Sequence, residues 1–186
     1  KDAIIECYKK GGKVLLCGNG GSCADCDHIV GELMKGFLKK RPLSEEKKAQ
    51  MKGNCPLVDD EILGKLQEAL PAISLPSITA LNSAFCNDVD PELIYAQSLM
   101  SLGRENDILI GISTSGNSKN VYGAVKVAKA LGVKVIGLSG NTGGKLKAAA
   151  DICICVPETE TFKIQELHLP LYHALCAETE ARIFGG

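Results

Sequence analysis

Two turns rich in glycine and in hydroxyl-bearing side chains carry the clearest chemical signal in this sequence. They read Gly18-Asn19-Gly20-Gly21-Ser22 and Ser113-Thr114-Ser115-Gly116-Asn117-Ser118. Free backbone N–H groups at the start of a helix attract anions, and glycine lets the backbone approach a ligand closely. The hydroxyl groups of the second turn can also donate hydrogen bonds to phosphate oxygens. The two turns therefore predict a phosphate-binding site.

Neither turn is a familiar nucleotide-binding motif, because both lack the Gly-Lys-Ser/Thr of a Walker loop and the spacing G-x-G-x-x-G. Taken alone, a Gly-rich turn with a capping serine is also typical of an ordinary connection between a strand and a helix. The four hydroxyl groups within six residues of the second turn favour the ligand-binding interpretation.

His28 and Glu32 are a candidate acid–base pair. They lie four residues apart on a helix that is predicted to begin at Ser22, so their side chains share one face. Such pairs are common on helix surfaces, but this one follows a predicted phosphate-binding turn by one to three helical turns. A carboxylate can remove a proton from carbon, and an imidazole can exchange protons with oxygen atoms near neutral pH.

The elements that must position these residues alternate between short apolar runs and helical patterns. Strands are predicted at 13–17, 72–78, 107–113, 134–139 and 152–156. Helices are predicted at 22–37, 91–102, 118–131 and 161–184, the last with a kink at Pro170. Apolar strands that alternate with helices are typical of a parallel sheet covered on both faces. We therefore expect a single α/β domain, a three-layer αβα sandwich around a five-stranded parallel sheet, with ligands at the carboxyl ends of the strands.

One segment, 39–70, is too long for a simple connection between a helix and a strand. We interpret residues 44–70, approximately, as an inserted helical segment. Asp59 is a candidate N-cap of an amphipathic helix. That helix would present four apolar side chains on one face, those of Ile62, Leu63, Leu66 and Leu70.

The paired turns resemble the signatures of the SIS family of phosphosugar domains. The resemblance extends over about residues 12–182 and fails over the inserted segment. It implies a flavodoxin-like or Rossmann-like sheet. It also implies that the substrate phosphate is bound by the two turns, through Asn19, Gly20, Gly21, Ser22, Ser113, Thr114, Ser115 and Ser118.

Within that family, the sequence is similar to phosphoheptose isomerases, which share His-x-x-x-Glu after the first turn and a Gln followed eight residues later by a His. The resemblance implies that Glu32 and His173 are the catalytic pair and that Gln165 and Asp88 contact the substrate. It also implies a zinc site in some members, formed here by His28, Glu32, Gln165 and His173. His168 matches a family position but is assigned no role, and we interpret it as a helix-face residue.

The implied reaction is an aldose–ketose isomerisation of a sugar phosphate through an enediol. The usual substrate of the family is sedoheptulose 7-phosphate, and the product is D-glycero-D-manno-heptose 7-phosphate. Zinc would act as a Lewis acid on the carbonyl group.

The spacing of Gln165 and His173 suggests an oligomer. On one straight helix the two residues are about 12 Å apart along the axis and about 80° apart around it. One helix would not aim both at a single ion, so we expect each to serve the site of a different subunit. The family resemblance implies the same arrangement, a homotetramer with active sites between subunits.

Composition narrows the classes of partner. The 186 residues carry 23% charged side chains and a net charge of -1, without the basic surplus of a nucleic-acid-binding domain. The apolar runs are too short for a membrane span of about 20 residues. We therefore expect neither nucleic acid nor membrane as a partner. Nine irregularly spaced cysteines favour a reducing cytoplasm over a disulfide framework.

The sequence also allows two other functions. A non-catalytic SIS module, which binds a sugar phosphate or a protein partner in regulation, would need the turns but not Glu32 and His173. A redox function would use Cys23 and Cys26, a Cys-x-x-Cys motif at a helix start, where the pKa of a thiol can be lowered. The surroundings of a thioredoxin-like motif are missing.

Overall fold

A parallel sheet of five strands forms the centre of the computed structural model, which describes residues 1–185. The strands lie in the spatial order β2-β1-β3-β4-β5, and every neighbouring pair is parallel. Their bounds are β1 (Val14–Cys17), β2 (Ala72–Ser74), β3 (Ile108–Ser113), β4 (Lys134–Ser139) and β5 (Ile152–Cys155). All residues of β1 and β3 are buried, as the apolar runs predict for a sheet covered on both faces.

Helices pack on both faces of the sheet, so the predicted three-layer α/β sandwich is confirmed. Along β1, Val14 and Leu16 face a cluster formed with α1, α2 and α9, while Leu15 and Cys17 face a cluster formed with α6, α7 and α8. The helices are α1 (Asp2–Lys9), α2 (Gly21–Met34), α3 (Glu45–Asn54), α4 (Asp60–Lys65), α5 (Thr79–Asp88), α6 (Ile94–Leu102), α7 (Lys119–Ala130), α8 (Gly144–Ala149) and α9 (Thr161–Phe184).

Some elements differ from the sequence-based expectation. The strand predicted at 72–78 ends at Ser74, because a 3₁₀ turn with Pro76 at its start follows at Leu75–Ser77. Helices α1, α5 and α8 occupy segments for which no element was predicted. The helix α5 has no buried residue, so its sequence carries no apolar stripe that could reveal it.

The inserted segment contains two helices, α3 and α4, rather than one helix beyond Asp59. Asp59 is the N-cap of α4, as predicted, since its Oδ1 accepts a hydrogen bond from the N–H of Ile62 at 2.8 Å. The predicted apolar face is wrong. The helix ends at Lys65, because the chain then extends to pair with 41–42, where the N–H of Glu68 donates to the carbonyl of Arg41 at 2.7 Å. Two of the four predicted face residues are buried, Leu63 and Leu70, and two are exposed, Ile62 and Leu66.

Two neighbouring helices, α2 and α9, create the setting of the candidate site. Contacts pair His28 with Tyr172 and with His173, and Phe37 with Glu180, at sequence separations of 143 to 145. The constant separation shows that α2 and α9 run parallel and side by side. Helix α9 continues through Pro170 without a break.

Candidate active site

The two predicted phosphate-binding turns follow the adjacent strands β1 and β3, at the carboxyl edge of the sheet where a parallel α/β fold binds its ligands. Two amide side chains join the first turn to the start of α7. Asn19 Nδ2 donates to Asn120 Oδ1 at 2.8 Å, and Asn120 Nδ2 donates to Asn19 Oδ1 at 2.9 Å. The hydroxyl of Tyr95 donates to the carbonyl of Gly18 at 2.8 Å. These contacts fix the two turns relative to each other.

The serines of the second turn divide into buried and exposed groups. Ser113 is buried at the end of β3, and its Oγ lies 2.9 Å from the Oγ of Ser118. Ser115 is exposed, and its Oγ accepts a hydrogen bond from the N–H of Asn117 at 3.1 Å. Gly116 has a φ of +66°, a conformation that side chains rarely adopt. Ser113 and Ser118 therefore shape the turn, whereas Ser115 presents a hydroxyl group to solvent.

The first turn begins α2 and contacts α9. Gly20 has a φ of +57°, and Ser22 is buried within the first turn of the helix. A Cβ atom on Gly21 would lie 2.5 Å from Gln165 Nε2. Gly21 thus makes room for the amide of Gln165, which lies beside the predicted phosphate site.

A cluster of acid–base side chains lies farther along the same two helices. His28 Nε2 is 3.4 Å from Glu32 Oε1 and 3.3 Å from His173 Nε2. The Glu32 side chain is 14% exposed, and its other oxygen, Oε2, lies 3.3 Å from Lys35 Nζ. The ring of Phe37 packs against the ring of His173, with centroids 5.5 Å apart. A carboxylate and two imidazoles therefore face one another in an open position beside α2.

The structure brings three of the four predicted metal ligands together and places the fourth elsewhere. Gln165 contacts Gly21, whereas His173 contacts His28, seven residues farther along α2. The inference that one helix does not aim Gln165 and His173 at one point agrees with this arrangement. The corollary that Gln165 and His173 serve the sites of different subunits stays a prediction; within this one chain both residues contact α2. Glu32 and His173 belong to one cluster within one chain.

The donor set of this cluster suits zinc, since two imidazoles and a carboxylate are common ligands of a catalytic zinc ion. Two ligand atoms bound to one tetrahedral zinc ion, each at about 2.0–2.1 Å, lie about 3.3–3.4 Å apart. The distances from His28 Nε2 to Glu32 Oε1, 3.4 Å, and to His173 Nε2, 3.3 Å, match this value. Within residues 1–185, no group of three or more His, Cys, Asp or Glu side chains is already arranged to hold a metal ion. The three side chains therefore suit the ion in chemistry and in the two spacings at His28, but they are not arranged around a common centre in this structure.

Two other predicted residues lie outside this cluster. Asp88 is exposed at the last position of α5, where its Oδ1 accepts a hydrogen bond from the side chain of Asn87 at 2.8 Å. His168 is fully buried rather than on an outer helix face, and its Nε2 lies 3.3 Å from the carbonyl oxygen of Ser139. Burial lowers the pKa of His168, so the ring is held neutral within the fold.

The sequence did not predict three further side chains at the cluster: Tyr172, Asp25 behind it, and Lys35, whose Nζ lies 3.3 Å from Glu32 Oε2. The hydroxyl of Tyr172 lies 2.9 Å from His28 Nδ1 and 3.3 Å from Asp25 Oδ1. Asp25 lies three residues before His28, on the same helix face, and this spacing was the available signal. Tyr172 precedes His173 by one residue, and its apolar body made it indistinguishable from a core residue.

The Cys-x-x-Cys motif lacks the features of a reactive thiol pair. Cys26 is buried, and burial raises its pKa well above the usual value. Burial and the charge of Asp27 also raise the pKa of Cys23. All nine cysteines are free. Since a redox-active motif needs a lowered thiol pKa, the structure argues against a redox function.

Two glycine-rich turns at the carboxyl edge of a five-stranded parallel sheet, with an acid–base cluster beside them, define an α/β domain of the kind that the SIS family forms, and comparison with known proteins agrees. The model of the SIS domain matches residues 80–177. A phosphoheptose isomerase from Burkholderia pseudomallei is 39% identical over 184 residues, which cover 99% of this chain and 80% of the relative.

Two solved structures are similar over nearly the whole chain. The phosphoheptose isomerase of Neisseria gonorrhoeae has a TM-score of 0.77 and 33% identity, with 97% of this chain and 82% of that chain covered. The phosphoheptose isomerase of Francisella tularensis has a TM-score of 0.78 and 34% identity, with 96% of this chain and 81% of that chain covered. This chain belongs to the phosphoheptose isomerase family of SIS-domain proteins.

Proposed function

We propose that this protein is an aldose–ketose isomerase that interconverts sedoheptulose 7-phosphate and D-glycero-D-manno-heptose 7-phosphate. The observation that carries the proposal is the meeting of His28, Glu32 and His173 on the helix that begins at the first phosphate-binding turn. Membership of the phosphoheptose isomerase family supports both the reaction and the seven-carbon substrate. A non-catalytic module that only binds a sugar phosphate does not require an acid–base cluster of this kind.

The distance between the turn and the cluster favours a long sugar chain. Gly21 and His28 are seven residues apart on α2, which corresponds to about 10 Å along the helix axis. A phosphate bound at the turn must therefore be well separated from the carbons that react at the cluster. A seven-carbon sugar phosphate holds its phosphate farther from the reacting carbons than a five-carbon one, so the longer sugar suits this separation better.

In the proposed reaction, Glu32 is the base for carbon and His173 exchanges protons with oxygen. Glu32 removes a proton from C1 of the ketose while His173 gives a proton to the C2 oxygen, which yields the enediol. His173 then takes the proton of the C1 hydroxyl group, and Glu32 returns its proton to C2, which yields the aldose. Acid–base catalysis of this kind commonly contributes about 10²–10⁴-fold in rate.

The proposal includes zinc, held by His28, Glu32 and His173. When bound, zinc supplies a Lewis acid that polarises the substrate carbonyl. Gln165, which contacts Gly21, serves the substrate near its phosphate end in this scheme. Asp88 remains a proposed substrate contact on the basis of the family resemblance.

We also propose a homotetramer located in the cytoplasm. Helix α9 exposes three large apolar side chains, Phe162, Leu167 and Leu169, and exposed apolar groups of this size on one helix favour an interface. Nine free cysteines favour a reducing compartment. Among residues 1–185, no helix is both long and apolar enough to cross a membrane.

An isomerase assay with five-, six- and seven-carbon ketose phosphates, each with and without added zinc, tests the proposal. We expect turnover to be highest with sedoheptulose 7-phosphate and to fall as the chain shortens. If the purified protein binds sedoheptulose 7-phosphate but converts none of the sugars under either condition, it is a sugar-phosphate-binding module and not an isomerase.

A further inference from the structure

The hydroxyl group of Tyr172 stands between His28 and a partly buried carboxyl group. It lies 2.9 Å from His28 Nδ1 on one side and 3.3 Å from Asp25 Oδ1 on the other. The opposite nitrogen of the same imidazole, Nε2, faces Glu32 and His173. The proton exchange described above uses neither Tyr172 nor Asp25, so their alignment with His28 calls for a separate explanation.

The direction of these hydrogen bonds follows from the chemistry of the groups. An ionised carboxyl group only accepts, so the hydroxyl of Tyr172 donates to Asp25. The phenol oxygen then accepts from His28, which places the ring proton of His28 on Nδ1. A neutral imidazole carries one proton, so Nε2 keeps a lone pair. The Nε2–H of His173, 3.3 Å away, can donate to this lone pair, while Glu32 pairs with Lys35 Nζ at 3.3 Å.

The surroundings of Tyr172 keep it in the role of a donor. A phenol has an ordinary pKa of about 10 and therefore carries its proton near neutral pH, with Asp25 Oδ1 within hydrogen-bond reach. The ring is only 2% exposed and packs in the core cluster between α1, α2, α9 and the sheet. The Tyr172 and His28 rings meet edge to face, with centroids 5.4 Å apart.

We propose that Tyr172 is a positioning residue that links His28 to Asp25 and holds the ring proton of His28 on Nδ1, so that Nε2 faces Glu32 and His173 as an acceptor or metal ligand. Histidines that bind metals almost always donate their other ring N–H to a fixed partner, and loss of that partner typically weakens metal binding about 10–100-fold. In this chain a tyrosine hydroxyl group is interposed between the histidine and the carboxylate. The inference rests on the function proposed for the cluster.

The first variant for the test is Tyr172→Phe, which removes the hydroxyl group and keeps the ring. Tyr8→Phe is the matched control, because the hydroxyl of Tyr8 is also buried but has no hydrogen-bond partner among residues 1–185. The first readout is the tautomer of His28 in zinc-free protein, from long-range ¹⁵N–¹H correlation spectra of the imidazole rings. The chain has three histidines, so the variants His168→Gln and His173→Gln complete the assignment. The second readout is zinc affinity, measured by competition with a chromophoric chelator.

We expect the wild-type protein and the Tyr8→Phe variant to carry the His28 proton on Nδ1. In Tyr172→Phe this preference should be lost, and zinc should bind about 10–100-fold more weakly. A wild-type His28 protonated on Nε2 would overturn the inference. So would a Tyr172→Phe variant in which the tautomer and the zinc affinity are both unchanged.

Asp25→Leu provides an independent test should Tyr172→Phe fail to fold. Leu removes the acceptor at position 25, so His28 Nδ1 is left as the partner of the Tyr172 hydroxyl, which then donates to it. The ring proton should then move to Nε2, and an unchanged tautomer would contradict the inference. The spectra also separate this inference from the proposed function. An inactive wild-type protein with His28 protonated on Nδ1 refutes only the isomerase, whereas an active protein with His28 protonated on Nε2 refutes only the role of Tyr172.

Discussion

His173 Nε2 lies 3.3 Å from His28 Nε2, although 145 positions separate the two residues along the chain. The parallel packing of α9 on α2 creates this contact. Because His28 Nε2 also lies 3.4 Å from Glu32 Oε1, the proposed acid and base meet within a single chain. This relationship changes what subunit mixing should reveal.

Mixing two inactive variants should not restore activity. We expect oligomers reassembled from Glu32→Gln and His173→Ala chains to stay inactive, because every cluster then lacks one member of the pair. The measurement is the isomerase rate after dissociation and reassembly, with reassembled wild-type protein as the control. Recovery of a substantial fraction of the wild-type rate would show instead that the two residues of each site come from different chains.

The hydroxyl groups of the second turn should determine the affinity for substrate. Replacing Ser113 and Ser115 together by alanine should raise KM at least about tenfold, because a hydrogen bond to a charged group contributes about 1.5–3 kcal/mol. Ser101→Ala is a suitable control, since this exposed serine lies on α6 and its hydroxyl donates to the carbonyl of Gln97. An unchanged KM for the double variant would remove the turn from the phosphate site.

The cysteines of the Cys-x-x-Cys motif should be dispensable for activity. Under reducing conditions, a variant with Cys23→Ser and Cys26→Ala should keep near-normal turnover, because the pKa of each thiol is raised rather than lowered. The thermal unfolding midpoint of the same variant, compared with that of wild type, shows whether the loss of packing at the buried Cys26 position destabilises the fold. A well-folded variant without activity would revive the redox interpretation.

A buried ion pair should dominate the stability of the loop after α2. Arg41 Nε donates to Glu180 Oε1 at 2.8 Å, and the same carboxylate accepts from the N–H groups of Phe37 and Leu38. Glu180→Gln should destabilise the fold by about 3–5 kcal/mol, because it leaves the charge of Arg41 buried without a counterion. The measurement is urea unfolding, with Glu178→Gln as the control. Glu178 forms an exposed ion pair with Lys1, and such pairs contribute about 0–1 kcal/mol.

The stability contributed by Glu180 should also depend on pH. Burial opposes ionisation of Glu180, but the N–H groups of Phe37 and Leu38 and the Arg41 guanidinium hold its pKa below the usual value. A carboxyl group with a depressed pKa stabilises the fold above its unfolded pKa, about 4.3, and loses that contribution as the pH falls through the folded pKa. The difference in stability between wild type and Glu180→Gln should therefore shrink on acidification below about pH 4. If the difference in stability between wild type and Glu180→Gln grows on acidification, folding does not lower the pKa of Glu180 and the prediction is wrong.

Local patterns in the sequence were enough to predict the sheet and the position of the two glycine-rich turns at its carboxyl edge. Each of the five predicted apolar runs contains a strand, as Val14–Cys17 does, and the glycine turn after β1 leads into α2. The path of the inserted segment could not be predicted in the same way. The end of α4 at Lys65 depends on pairing with 41–42, a contact that no local pattern encodes.

The composition of the acid–base cluster depends in the same way on the packing of distant elements. Periodicity places Gln165 and His173 on one helix, but only the register of α9 against α2 places one beside Gly21 and the other beside His28. The contact of Tyr172 with Asp25 arises from the same register. Helical periodicity alone therefore does not join these residues into a site; the family motif joined four of them, and the packing adds Tyr172 and Asp25.

The most direct test of the account is the rate at which the Glu32→Gln variant isomerises sedoheptulose 7-phosphate, compared with wild type under identical zinc conditions. Glu166→Gln serves as the control, because it removes an exposed carboxyl group from α9 outside the cluster. We expect the control to match wild type and Glu32→Gln to fall by about 10²–10⁴-fold with its fold intact. Near-normal turnover by a well-folded Glu32→Gln variant would contradict the proposed mechanism.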